Sequence, residues 1–135
     1  MPSSLRWLAL LFAASIVAAI VAGGVLYAES QTRTRTMAEA LTGGRIAAGR
    51  EAIAAYGCGS CHVIAGVYGA DGMVGPPLDG IATRAQIAGR LPNEPRAMID
   101  WLRHPQAVIP GNGMPEQRIT DRGARDITAY LYTLK

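Results

Sequence analysis

Hydrophobic and polar positions divide the chain into three stretches of different texture. Residues 7–28, WLALLFAASIVAAIVAGGVLYA, run for twenty-two positions without a charge. As a helix they would reach about 33 Å, enough to cross a hydrocarbon layer of about 30 Å. Residues 29–44, ESQTRTRTMAEALTGG, are polar, rich in Thr and Arg, and close on a glycine pair. Beyond them apolar positions recur at steps of three and four in short segments separated by glycine and proline.

The first of these segments places Ile46, Gly49, Ile53 and Tyr56 on one helical face, and Gly57 would end the helix just before Cys58. Residues 63–80 are dominated by Gly and Pro and read as a loop with fixed corners, followed by a short helix at residues 81–89. In LPNEPRAMIDWLRHP, Asn93 is the expected N-cap and Pro95 suits a first turn. Met98, Trp101 and Leu102 share a face there, and His104-Pro105 stops the run. Residues 106–118 form another loop, with Pro110 and Pro115 bracketing two glycines and Met114. The last helix carries Ala124, Ile127, Leu131 and Leu134 on one stripe, with Tyr130 beside it and Thr120 as its cap. No alternating strand pattern and no internal repeat is visible, so the expected class is all-α. The expected organisation is a membrane anchor at 1–28, a linker at 29–42 and one domain at 43–135.

The apolar run could also be a cleaved secretory signal, whose apolar core is usually about 7–15 residues followed by small residues at the cleavage site. Here the run is longer, and Leu26-Tyr27-Ala28-Glu29 lacks a clean small-x-small pattern. An uncleaved anchor is therefore preferred, and either reading exports the rest of the chain. Charge counting leaves orientation open, because Arg6 stands at one end and Arg33 and Arg35 beyond the other. The formal charge is +3 and Lys135 is the only lysine. No basic block or aromatic-interleaved basic stripe points to nucleic acid.

Composition adds a difficulty. Fewer than a hundred residues with one Phe in the whole chain, many Ala and two glycine-rich loops bury little apolar surface. Chains of this kind usually need a disulfide, a metal or a cofactor as part of the core.

The only two cysteines lie in Cys58-Gly59-Ser60-Cys61-His62, a C-x-x-C-H arrangement. Structural zinc wants four ligands, yet the only other histidine is His104 and there is no second cysteine pair. A thioredoxin-like dithiol should follow a strand and open a helix, whereas this motif follows a helix and precedes a glycine loop. A c-type haem accounts for all three residues: two cysteines for thioether links and the adjacent imidazole for the iron. A covalently held macrocycle would also supply the missing core.

With those residues in view, residues 43–135 resemble a class I (monohaem) cytochrome c of the bacterial membrane-anchored type. Besides GCGSCH, the matching stretches are GPPLDGI (75–81), LPNEPRAMIDWLRHPQAV (91–108), GNGMP (111–115) and ARDITAYL (124–131). The resemblance implies short helices wrapped around one covalent haem c, preceded here by one transmembrane helix. It also implies Met114 as the second axial ligand opposite His62, with Met73 the weaker rival. Pro76 matches the proline whose carbonyl accepts the other imidazole N–H. Trp101 is similar to a tryptophan that hydrogen-bonds a haem propionate, and Arg84 is placed to neutralise one. Gly49 and Ile53, with Ile127 and Tyr130, correspond to the family's crossing of first and last helices. The chain departs from diffusible mitochondrial members in lacking a lysine-rich ring and in the extra residue of YGC before the motif.

What this implies is an electron carrier rather than an enzyme. With His and Met on both axial sites no position stays open for substrate. The expected protein transfers single electrons in a respiratory chain, from a quinol-oxidising complex to a terminal oxidase, with its haem domain on the periplasmic side of a bacterial inner membrane. The alternative is a permanent subunit of such a complex, motivated by the small residues Ala13, Ala14, Ala18, Ala22 and Gly23 along the anchor.

Overall fold

The protein is described by a computed structural model covering residues 3–135, so the first two positions of the 1–28 segment lie outside the described residues. Helix α1 (Ser3–Thr42) is a single element of 40 residues. No proline interrupts it, and its polar part gains an exposed Glu29–Arg33 pair one turn apart at 2.6 Å. Such pairs are worth only a few tenths of a kcal/mol, about 0.3–0.5. The chain divides into two units, the first ending at Arg33 and the second running Thr34–Lys135.

In the first unit no described side chain is buried. α1 is the one helix among the described residues long and apolar enough to cross a membrane, with a mean hydropathy of 2.5 over its best stretch. Its length and apolar composition are compatible with a single membrane span.

In the second unit the end of α1 is part of the fold. The segment expected as a linker continues helically to Thr42, and Ala38 and Thr42 are buried. Thr42 Oγ1 donates to the Ala38 carbonyl at 2.7 Å and accepts from the Gly44 N–H at 3.1 Å, while Glu39 accepts the Ile46 N–H at 2.9 Å. The orphan donors at the start of the next helix are thus met by the helix before it.

Four further helices follow: α2 (Ile46–Ala55), α3 (Pro95–Arg103), α4 (Pro105–Val108) and α5 (Asp121–Leu131). α2 buries Ile46, Gly49 and Ile53, the face expected from their spacing. α5 buries Ala124, Ile127 and Leu131 of the expected stripe, and its cap is Thr120, whose hydroxyl accepts the Gly123 N–H at 3.0 Å. Gly57 closes α2 with a positive φ of 69°, releasing the chain into a single 3-10 turn at Cys58–Ser60.

α2 and α5 pack on each other more extensively than any other pair, at a crossing made possible by Gly49. A Cβ there would collide with the Asp126 carbonyl and reach within 3.0 Å of the Tyr130 Cβ. Beside the crossing, the buried Asp126 carboxylate accepts the Arg45 N–H at 2.7 Å and pairs with Arg122 at 3.3 Å. Both of its oxygens are therefore engaged, which is what allows a carboxylate to be buried.

Two expectations are corrected. Residues 81–89 are not one helix: a 3-10 turn at Ile81–Thr83 leads into β1 (Gln86–Ile87), which pairs antiparallel with β2 (Leu91–Pro92). Ala88 and Gly89, with φ of 50° and 71°, turn the chain back, a reversal that helical geometry cannot make. Asn93 is not the N-cap of α3, a position taken by Glu94 without a side-chain bond. The Asn93 amide instead donates to the carbonyls of Ile81 and Arg84 at 2.7 and 2.9 Å, where it binds the turn to the hairpin.

Gly49→Val is expected to lower stability by about 2–4 kcal/mol, because the new side chain must push two backbones apart. Thermal unfolding of the holoprotein measures this, and a midpoint within 2 °C or so of the wild type would contradict the crossing.

Candidate functional site

Beyond the Gly49 crossing, the ends of α2, α3 and α5 do not fill the space beside them. Between them and the two long loops lies a cavity of about 590 Å³, within the roughly 300–1,000 Å³ range of cofactor sites. Its wall is mostly apolar, with Ile53, Leu78, Ile81, Met98, Ile127 and Leu131 among the residues that line it.

Of the seven site residues expected from the sequence, all line this cavity: Cys58, Cys61, His62, Pro76, Arg84, Trp101 and Met114. They come from five places in the chain: the turn after α2 (Cys58, Cys61 and His62), the loop of residues 63–80 (Pro76), the end of the 3-10 turn at Ile81–Thr83 (Arg84), helix α3 (Trp101) and the loop before α5 (Met114). Cys58 and Cys61 form no disulfide, and burial pushes the Cys58 thiol above its ordinary value, with the neighbouring Cys61 adding to the rise. No cluster of three or more His, Cys, Asp and Glu side chains suited to a metal ion occurs among the described residues.

His62 is held in a defined orientation. Its Nδ1 lies 2.7 Å from the Pro76 carbonyl, which makes Nδ1 the protonated nitrogen and leaves Nε2 with its lone pair. Gly75 lets the strand of chain carrying Pro76 come this close, because a Cβ at 75 would run into the imidazole ring. The same loop is fixed elsewhere by the Gly75 N–H donating to the Cys61 carbonyl at 2.8 Å and the Leu78 N–H to Val63 at 2.9 Å.

Arg84 lines the cavity, but its guanidinium already donates to the carbonyls of Pro77 and Asp79 at 2.6 and 2.9 Å through one nitrogen. It clamps the loop that carries Pro76, and its other nitrogens stay free of those bonds. Trp101 is half-buried at the cavity wall on α3, next to the fully packed Met98 and Leu102. Met114 is half-buried on the loop of residues 109–116, on which Asn112 also faces the cavity. Met73 is 90% exposed and does not line the cavity, so the rival to Met114 is not brought to the site. His104 is likewise exposed, at the junction of α3 and α4.

One aromatic contact escaped the sequence reading. Tyr130 donates its hydroxyl to the Ala65 carbonyl at 2.6 Å, tying the loop after the C-x-x-C-H motif to α5, and burial raises its pKa. Helical spacing could not reveal it, since it joins residues 65 positions apart. Tyr132 is pushed up to about 12 by burial.

The family model described as Cytochrome c matches residues 46–135. The chain belongs to the cytochrome c family. No curated protein and no solved structure matches it. Cytochromes c bind haem c covalently, usually one in the monohaem form, and act in electron transfer as carriers that are generally not enzymes. The cavity fits that group: it is apolar, of cofactor size, and offers an oriented imidazole, two thiols and a thioether on its walls.

Gly75→Ala is expected to force the His62 ring away from the Pro76 carbonyl and to destabilise the folded holoprotein by about 1–3 kcal/mol. The unfolding midpoint in denaturant reads this directly, and an unchanged midpoint would mean that the close approach is not required.

Proposed function

We propose that this cytochrome c is a membrane-tethered electron carrier, passing single electrons from a quinol-oxidising complex to a terminal oxidase. The reading is carried by one observation: Cys58, Cys61 and His62 of the C-x-x-C-H motif and the sequence-distant Met114 line a single cavity. When bound, the haem supplies one-electron chemistry between its ferric and ferrous states.

The chain's own residues have distinct tasks in this reading. Cys58 and Cys61 would hold the group by thioether links, and His62 through Nε2 and Met114 through its thioether would bind the iron. The Pro76 carbonyl keeps the imidazole in one orientation and tautomer. Two protein ligands to the iron would leave no place for a substrate, and a soft thioether would favour the reduced state and raise the potential. Trp101 and the uncommitted nitrogens of Arg84 would hold the propionates. Ile53, Ile81, Ile127 and Leu131 keep water out, so little solvent must reorganise when charge changes.

Residues 1–28 anchor the protein as a single span in the bacterial inner membrane, with the haem domain in the periplasm, where c-type attachment and the export segment agree. Tethering keeps the carrier at high effective concentration near its partners, so weak and rapidly reversible docking suffices. A permanent place in one complex is the alternative, favoured by the exposed Ala13, Ala14, Ala18, Ala22 and Gly23 of α1, small residues that permit close helix packing.

Intact-mass measurement of the membrane-purified protein should give the chain, with residues 7–28 retained, plus one haem. Cys58→Ser with Cys61→Ser should lose that added mass; a wild-type mass without haem, or one beginning near residue 29, would overturn the assignment. In stopped-flow mixing, the holoprotein should accept electrons from a quinol-oxidising complex and pass them to an oxidase in repeated turnovers. Met114→Ala should abolish the ferric thioether-to-iron absorption band and slow that relay about tenfold or more; stoichiometric co-purification with one complex, without turnover between complexes, would favour the fixed subunit.

A further inference from the structure

The loop that carries Met114 has almost no backbone structure of its own. Residues 109–116 contain two glycines flanking Asn112, Gly111 has a φ of 77°, and the loop's internal backbone bond is a long one, Asn112 N–H to the Ile109 carbonyl at 3.3 Å. A stretch with that much freedom would sample many positions and hold a ligand in place only part of the time.

Two side-chain amides supply the missing order. Asn112 donates through Nδ2 to the carbonyls of Pro105 and Ile109 at 2.8 and 2.7 Å, and its Oδ1 accepts the Met114 N–H at 2.7 Å. Gln106 reaches across from α4 and donates through Nε2 to the carbonyls of Asn112 and Met114 at 2.9 and 2.8 Å, while its Oε1 accepts the Gly111 N–H at 3.2 Å. The Gln106 N–H donates to Glu116 at 3.1 Å, which closes the far end of the loop. Both amides use donor and acceptor sides at once, and both main-chain polar groups of Met114 are bonded to them. The base of the network is firm, because Pro105 is fully buried.

We infer that Gln106 and Asn112 are the positioning residues that hold Met114 at the cavity, and so set how readily an external ligand can take its place. This rests on the reading of Met114 as the second iron ligand. Loosening the loop populates a state in which the thioether has left, and the apparent affinity of a competing ligand rises in proportion to that population. Each amide contributes two donor bonds, and losing two neutral hydrogen bonds corresponds to roughly a ten- to hundredfold change in that equilibrium.

The experiment is a spectroscopic titration of the full-length ferric holoprotein with imidazole, recorded together with the thioether-to-iron band and the thermal midpoint. Asn112→Asp and Gln106→Glu keep shape and the accepting oxygen but lose both donors. Each should bind imidazole roughly ten- to a hundredfold more tightly than the wild type and show a weakened band. Thr120→Ala, which removes the α5 cap away from the loop, should lower the midpoint while leaving imidazole affinity unchanged. Wild-type affinity in both amide variants, or an equal gain in Thr120→Ala, would overturn the inference. A wild-type protein that lacks the band and binds imidazole as tightly as Met114→Ala would instead overturn the ligand reading beneath it. Where a variant fails to incorporate haem, amide hydrogen exchange of the wild type decides: slow exchange at Gly111 and Met114 supports the network, and exchange at the free-peptide rate refutes it.

Discussion

The structure depends on an apolar cavity that its own side chains cannot fill. In the second unit α2 and α5 cross in close contact at Gly49, and beside that crossing Ile53, Met98, Leu102, Ile127 and Leu131 of α2, α3 and α5 face a space of about 590 Å³. The residues that would form a hydrophobic core in a larger protein serve here as a lining. A domain this small, with little aromatic mass, gains most of its buried surface only when a large planar group occupies that space. Membership of the cytochrome c family supplies the group, and covalent attachment makes its presence independent of ligand concentration.

Everything else in the unit can be understood as bracing the cavity walls. One brace is the α2–α5 crossing at Gly49, stiffened by the doubly engaged Asp126. A second is the loop of residues 63–80, held by Arg84 to the Pro77 and Asp79 carbonyls and by Tyr130 to Ala65, with the Pro76 carbonyl meeting His62 at its inner edge. The third is the network of Gln106 and Asn112 around Met114. Two of these braces work on loops, where glycine and proline forbid regular backbone bonds, so side chains must satisfy the carbonyls and amides instead. The cost of ordering such loops is offset by placing each candidate ligand in a fixed attitude before the cofactor chemistry begins.

Charge is unevenly spread along the chain. Residues 51–83, which carry the C-x-x-C-H motif and the loop after it, contain no Lys or Arg, while the basic side chains lie elsewhere.

Some of this was legible without coordinates. The uncharged run of residues 7–28, the helical faces of α2 and α5, the Thr120 cap and the C-x-x-C-H motif are local or periodic, and local chemistry is written directly in neighbouring residues. The same holds for haem as cofactor, because the motif's spacing carries its meaning. Tertiary structure alone decided the rest. The short hairpin at Gln86–Pro92 appeared where a helix was expected, Asn93 turned from a cap into a strut, and α1 extended into the second unit through Ala38 and Thr42. Arg84 and Tyr130 found backbone carbonyls that no spacing rule connects to them. Those bonds join groups far apart in sequence and are chosen by which carbonyls the fold leaves unpaired, a quantity that exists only once the chain has closed around its cavity.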